Sequence, residues 1–257
     1  MSSLPRAAAG VVPVHAFPLH PNVFRVGERP TSAVAAQPSG FAALDRELPG
    51  GGWPCAGLVD IACDAWGIGE MSLVMPGLAV GLKAREAHAL WILPPCAARQ
   101  MSWVPYAPGL VAQGIALDQL ALVRPPTVEE GLWCAEQALR SGAVAYVLIW
   151  LDGQRLPSLA LKRLQQAAMG GGAAAFVFRP LASLDSPSPA PLRLALHAGA
   201  QGTLRVELVK RRGLPDGHAV LLTPRSMACL ARPAAAVPSP AAWQPPRRRD
   251  VLDAFRG

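Results

Sequence analysis

Lysine is nearly missing from this chain: 257 residues hold three (Lys83, Lys162 and Lys210) against 21 arginines. Charge of either sign is scarce, at 16% of residues, and aromatic residues make up only 6%. With half its residues hydrophobic, such a chain is not wholly disordered, because it buries enough apolar surface to offset the entropy of ordering. The cysteines (Cys55, Cys63, Cys96, Cys134 and Cys229) are odd in number and include no Cys-x-x-Cys pair. A disulfide framework or a zinc site is therefore not expected. No charged segment followed by an apolar core opens the chain, so no signal peptide is expected. The apolar run at 143–151 is about half the length that spans a bilayer. These absences describe a cytoplasmic protein with no membrane segment, no metal and no cofactor.

Net charge is +7, and it is unevenly spread. Residues 232–257 hold five arginines and two aspartates, and residues 1–37 hold three arginines and one glutamate, which leaves +2 for residues 38–231. A near-neutral body thus lies between Pro-rich, basic ends. We expect an extended segment at 1–37, with a short strand at 23–27, then a core at 38–231 and a flexible basic tail at 232–257. Basic ends are either solvated or in contact with nucleic acid or an acidic partner.

From Pro38 the pattern becomes globular. Phe41, Leu44 and Leu48 lie on one helix face, ended by Pro-Gly-Gly-Gly at 49–52. Short apolar runs at 57–62, 89–93, 120–123, 144–151 and 173–178 predict strands buried on both faces. Thr127 and Glu130 form a capping box that opens a helix with Leu132, Ala135 and Leu139 inward. A second helix at 158–169 points Leu161, Leu164 and Ala168 inward. Strand and helix in alternation predict an α/β fold with a mostly parallel sheet. After Pro191 the pattern is all strand, which predicts antiparallel strands added at one edge. Trp53, Trp66, Trp91, Trp133 and Trp150 are expected in the core, and the histidines show no ligand spacing.

In such a sheet the first strand-to-helix turn is the usual ligand site. Here it reads Ile61-Ala-Cys-Asp-Ala-Trp-Gly-Ile-Gly-Glu-Met-Ser. A phosphate-binding loop needs G-x-x-x-x-G-K-[ST] at this place. Gly67 and Gly69 are present, but Asp64 stands at the first glycine, Glu70 at the lysine and Met71 at the magnesium-binding hydroxyl. An anion in place of that cation turns a contact worth about 4 kcal/mol from favourable to unfavourable. A thioether is also a poor magnesium ligand. Trp53 and Trp66, in turns at the top of the sheet, are either core residues or fillers of the nucleotide's space.

The succession Ser39-Gly-Phe-Ala-Ala-Leu-Asp, Leu48-Pro-Gly-Gly-Gly-Trp-Pro, Gly57-Leu-Val-Asp-Ile and Gly67-Ile-Gly resembles the opening of the RecA/RadA recombinase fold. The likeness runs through Gly114-Ile, Leu117-Asp and Pro126-Thr-Val-Glu-Glu to the strand Val147-Leu-Ile-Trp, over about residues 23–212. It implies a RecA-like sheet in which Trp150 stands where the family's Walker B aspartate coordinates magnesium, with Asp152 off register. Leu93-Pro-Pro replaces the catalytic glutamate, and Phe178-Arg-Pro replaces the phosphate-sensing amide. The stretches matching the family's two DNA loops, 152–158 and 180–191, are short, with Arg155 their one cation. Filament formation and strand exchange are therefore not expected.

Within the superfamily, Leu48-Pro-Gly-Gly-Gly-Trp-Pro, Gly67-Ile-Gly-Glu, Pro105-Tyr-Ala-Pro, Ala135-Glu-Gln-Ala-Leu-Arg-Ser-Gly, Phe178-Arg-Pro and Val209-Lys-Arg-Arg-Gly resemble the ImuA family of SOS mutagenesis proteins, sometimes labelled SulA-like. The resemblance implies a non-enzymatic adaptor for translesion DNA synthesis. Its partners would be ImuB, a Y-family-like polymerase relative, and an error-prone C-family polymerase, with RecA and weakly held DNA as further candidates. The alternatives are an atypical nucleotide-binding ATPase and a SulA-like cell-division inhibitor. Candidate DNA or partner contacts are Lys210, Arg211 and Arg212 in the body. In the tail they are Trp243, Arg247, Arg248 and Arg249, followed by Leu252 and Phe255 at i, i+3 spacing.

Overall fold

The computed structural model describes residues 35–95, 105–151, 156, 158–211 and 218–224. The expected strand at 23–27, Asp152, Arg155, Arg212 and every tail candidate lie outside the described residues.

Strands β1 (Ala36–Gln37) and β2 (Trp53–Pro54) pair antiparallel, and between them lies a single helical turn, α1 (Ala42–Asp45). The helix expected across 41–48 is shorter than its spacing suggests, although Leu44 and Leu48 are buried. Then follow β3 (Gly57–Cys63), α2 (Glu70–Arg85), β4 (Ala89–Ile92), α3 (Ala107–Ala112), β5 (Leu120–Val123), α4 (Val128–Ser141) and β6 (Tyr146–Trp150). The chain continues through α5 (Ser158–Gly171), β7 (Ala174–Pro180), β8 (Leu192–Ala198), β9 (Leu204–Arg211) and β10 (His218–Leu222).

Eight strands form one sheet in the order β10-β9-β8-β3-β7-β6-β4-β5. From β8 to β5 every neighbour is parallel, and β9 and β10 are added antiparallel. The edge extension thus begins one strand later than expected, because β8 runs parallel to β3 before the chain reverses. The inner parallel strands are mostly apolar because helices cover both faces, with Asp60, Arg179 and Arg193 as buried charged exceptions, whereas the edge strand β5 is partly exposed.

One face carries α2 and the aromatic side chains Trp53, Trp91, Trp150, Phe176 and Phe178. The other packs smaller residues of β3, β6 and β7 under α4 and α5. Thr127 caps α4 by accepting from the Glu130 N–H at 3.2 Å, and left-handed Gly142 ends the helix. Trp133 is a correction to the expected core: it is 62% exposed. The buried face of α4 is set by Gly131, Ala135 and Leu139, and a residue two places from Gly131 is turned about 200° away.

Candidate functional site

The loop between β3 and α2 lies at the carboxyl ends of the parallel strands, where ligands bind in folds of this class. Gly67 (φ 79°) and Gly69 (φ 121°) take backbone conformations that a side chain disfavours, and they turn the loop's N–H groups inward. Those groups already have an acceptor. The Glu70 carboxylate folds back over its own loop, with Oε1 accepting from the Gly67 N–H at 2.9 Å and Oε2 from the Gly69 N–H at 3.2 Å. Glu70 is the first residue of α2 and is buried, so its negative charge also meets the positive end of the helix. Backbone donors at a helix N-terminus are what a phosphate would use. Here a side chain of the chain itself holds two of them.

The surroundings close over this arrangement. Cys63, the last residue of β3, is buried, and burial first and the Glu70 charge second push its thiol well above its ordinary value. Met71, Ile68 and Trp66 pack against the core, and the Leu204 and Pro224 side chains stand near Gly69. Asp64 is exposed at the loop's start, and its N–H donates to the Leu196 carbonyl.

Trp150 ends β6 at the place expected for a magnesium-binding aspartate, and it is 1% exposed. Its ring stacks on Phe178 at 4.6 Å between centroids and 16° between planes, with Trp91 tilted against it at 6.1 Å. Trp53 is fully buried, edge-on to Phe176, so it belongs to the core. The residues at this end of the sheet do not fit a magnesium nucleotide. The loop amides hold a carboxylate, an anion replaces the cation, and an apolar stack replaces the hard oxygen ligand. Among the described residues, no group of three or more His, Cys, Asp or Glu could hold a metal ion.

The basic residues expected at the surface of β9 are drawn inward instead. Arg211 is buried and donates from Nη1 to the Glu47 carboxylate at 2.8 Å and the Glu47 carbonyl at 3.1 Å. The Lys210 ammonium donates to the Ser188 carbonyl at 3.0 Å. Both cations tie loops to the sheet edge, so Lys210 and Arg211 do not form the exposed patch that their spacing suggests.

A buried charge cluster was not legible beforehand. Asp60 Oδ2 on β3 lies 3.2 Å from both Arg179 Nη1 on β7 and Arg193 Nε on β8, and all three side chains are buried. Burial first lowers the pKa of Arg193, against which Asp60 acts in the raising direction. The Arg193 guanidinium also donates to the carbonyls of Ser183, Leu184 and Ser186, at 2.5, 3.4 and 2.9 Å. The stretch after β7, expected to match a DNA loop, is thereby pinned to the sheet along with Ser188. No helix of the described residues is long and apolar enough to cross a membrane.

No protein-family model matches the chain. Among curated proteins it is 32% identical over 127 residues to Protein RecA of Lactobacillus delbrueckii subsp. bulgaricus, covering 49% of this chain and 36% of that protein. It is 28% identical over 132 residues to Protein RecA of Bacillus licheniformis, covering 50% and 34%. For Protein RecA of Lactobacillus johnsonii the figures are 29% over 127 residues, covering 49% and 33%. The match thus spans about a third of the length of these relatives. The chain is RecA-like over half its own length, and its sheet is consistent with that fold.

Proposed function

We propose that this chain is a non-enzymatic, RecA-like adaptor in SOS-induced translesion DNA synthesis. It binds an ImuB-like polymerase relative and supports an error-prone C-family polymerase. The observation that carries the absence of catalysis is the Glu70 carboxylate on the Gly67 and Gly69 amides. A nucleotide phosphate would have to displace a covalently tethered anion from these donors and then sit beside it. The Trp150–Phe178 stack supports the same reading, since an aromatic ring ends β6 where the resemblance calls for a carboxylate. The pathway assignment rests on the ImuA-like landmarks, of which Gly67-Ile-Gly-Glu contains the glutamate in question.

Titration calorimetry of the full chain with magnesium-ATP tests the first half of the reading. No saturable heat is expected at millimolar nucleotide, and micromolar binding abolished by Gly69→Val would overturn it. Co-purification with the ImuB-like protein, together with loss of damage-induced mutagenesis on deletion, tests the second half. Filamentation on overexpression with mutagenesis intact would instead favour a division inhibitor.

A further inference from the structure

The platform formed by α4 and α5 presents two surface stripes that have no part in the site above. Both helices follow strands of the parallel sheet, so they run in the same direction, side by side. An ion pair of 2.6 Å between Arg163 and Glu136 sets the middle of one level with the middle of the other. On α4, the exposed residues Glu130, Trp133, Gln137 and Arg140 follow one another at i, i+3, i+7 and i+10. On α5, Leu159, Lys162, Gln166 and Met169 do the same, also exposed. Such spacing places each set in one line along its helix. Trp133, Leu159 and Met169 are 62%, 66% and 57% exposed, a concentration of large apolar side chains on the outer face of only two helices.

The order of chemistry along these lines is self-complementary when reversed. We propose that this platform is a two-fold interface between two copies of the chain, with the α4 helices antiparallel to each other and likewise the α5 helices. The axis crosses the platform near Ala135 and Leu164. It sets Glu130 against Arg140 of the second copy and Trp133 against its Gln137. On α5 it sets Leu159 against Met169 and Lys162 against Gln166. Every pairing occurs twice, as a closed two-fold contact requires. The charges choose this arrangement over the parallel one, which would place glutamate near glutamate and arginine near arginine.

Charge also separates this occupant from others. The basic tail residues Arg247 to Arg249 would complement only the Glu130 end, and a uniformly acidic partner only the Arg140 end. Two helices of 14 residues, about 21 Å long and about 10 Å apart, offer roughly 400 Å² per copy. A total of about 800 Å² falls below the usual range of stable specific interfaces, so the dimer is weak, transient and dependent on concentration. This inference does not rest on the adaptor reading and adds an interface to it.

Sedimentation equilibrium of the full chain, from about 10 to about 500 micromolar, tests the proposal over the range a small interface requires. The average mass should climb from 26.9 kDa toward twice that value. Glu130→Lys and Arg140→Glu should each weaken association at least about tenfold, and an equimolar mixture of the two should restore it, since the mixed dimer holds one charge-reversed pair and one native Glu130–Arg140 pair, both favourable. Trp133→Ala with Leu159→Ser should leave a folded monomer, its fold checked by circular dichroism. A wild-type chain that stays at 26.9 kDa throughout overturns the proposal. So does a dimer indifferent to these changes, or a mixture that fails to recover. A monomeric wild type that still retains its ImuB-like partner would sink this interface alone and leave the adaptor reading standing.

Discussion

Replacing Glu70 by alanine separates a loop held by its own side chain from one that is merely glycine-rich. The substitution removes two hydrogen bonds to a carboxylate, at 2.9 and 3.2 Å, of a kind worth about 1.5–3 kcal/mol each. Gly67 is exposed, so water takes over its N–H and returns much of that contribution, whereas Gly69 is half-buried and recovers less. Loss of a negative charge from the first turn of α2 adds about 0.3–1 kcal/mol. The sum is about 2–4 kcal/mol, and at about 2–4 °C per kcal/mol the thermal midpoint falls by about 5–15 °C. Glu70→Gln, which keeps one acceptor oxygen but no charge, should fall about half as far. The freed amides then become available to an outside anion. With a dissociation constant near ~1 mM, ~10 mM pyrophosphate would return about 1.4 kcal/mol to the alanine variant and nothing to the wild type. Differential scanning calorimetry of both proteins, with and without pyrophosphate, reads all of these quantities. An alanine variant as stable as the wild type, or equal pyrophosphate stabilisation of the two, would refute the reasoning.

Two further outcomes follow from buried groups. Asp60→Asn leaves the Arg179 and Arg193 guanidinium groups facing each other without their shared carboxylate, and should cost about 3–5 kcal/mol in urea unfolding. It should also hasten amide exchange at 183–186, where Arg193 holds the backbone; unchanged exchange there would mean that Asp60 does not position Arg193. The pH dependence has a defined sign. Cys63 and Tyr146 both have pKa values raised first by burial, from ordinary values of 9.0 and 10.0. In the unfolded chain they lose their protons first, so stability is full below about pH 9 and falls above it, by up to about 1.4 kcal/mol per pH unit for each group. A flat stability profile between pH 8.5 and about 10.5 would contradict this, as would rapid alkylation of Cys63 in the folded protein.

The parallel strands were legible because burial on both faces leaves a continuous apolar run, and the start of α4 because its cap uses neighbouring residues. The glutamate at the phosphate-loop lysine position was equally visible, yet the hydrogen bonds that Glu70 makes were not, since they depend on the loop's backbone conformation. Side chains that meet across strands were hidden for a related reason: Asp60, Arg179 and Arg193 are far apart in sequence and adjacent only through the strand order. Gln37 was read with the extended amino-terminal segment. It instead donates to the Gly77 carbonyl at 2.9 Å and accepts from the Tyr146 hydroxyl, stitching β1 to α2 and β6. Lys210 and Arg211 looked like one basic cluster because spacing alone does not show that each reaches a different loop. Trp133 misled through its residue type, because a large aromatic in an amphipathic helix suggests the core unless the phase of the neighbouring small residues is followed.

The stack of Trp91, Trp150 and Phe178 makes the sheet's end hard to convert into a nucleotide site by single substitutions. In a nucleotide-binding sheet the strand ends must stay wet enough for carboxylates and a hydrated cation. Here the same positions hold interlocked rings that lend cohesion to the interior. An aspartate placed at position 150 would enter a dry cavity of tryptophan shape, with damage to the fold before any benefit to chemistry. A substitution at Glu70 can uncover donors, but none there can make room behind them. A hard oxygen ligand at the sheet's end would therefore have to come with several compensating changes in the core around it.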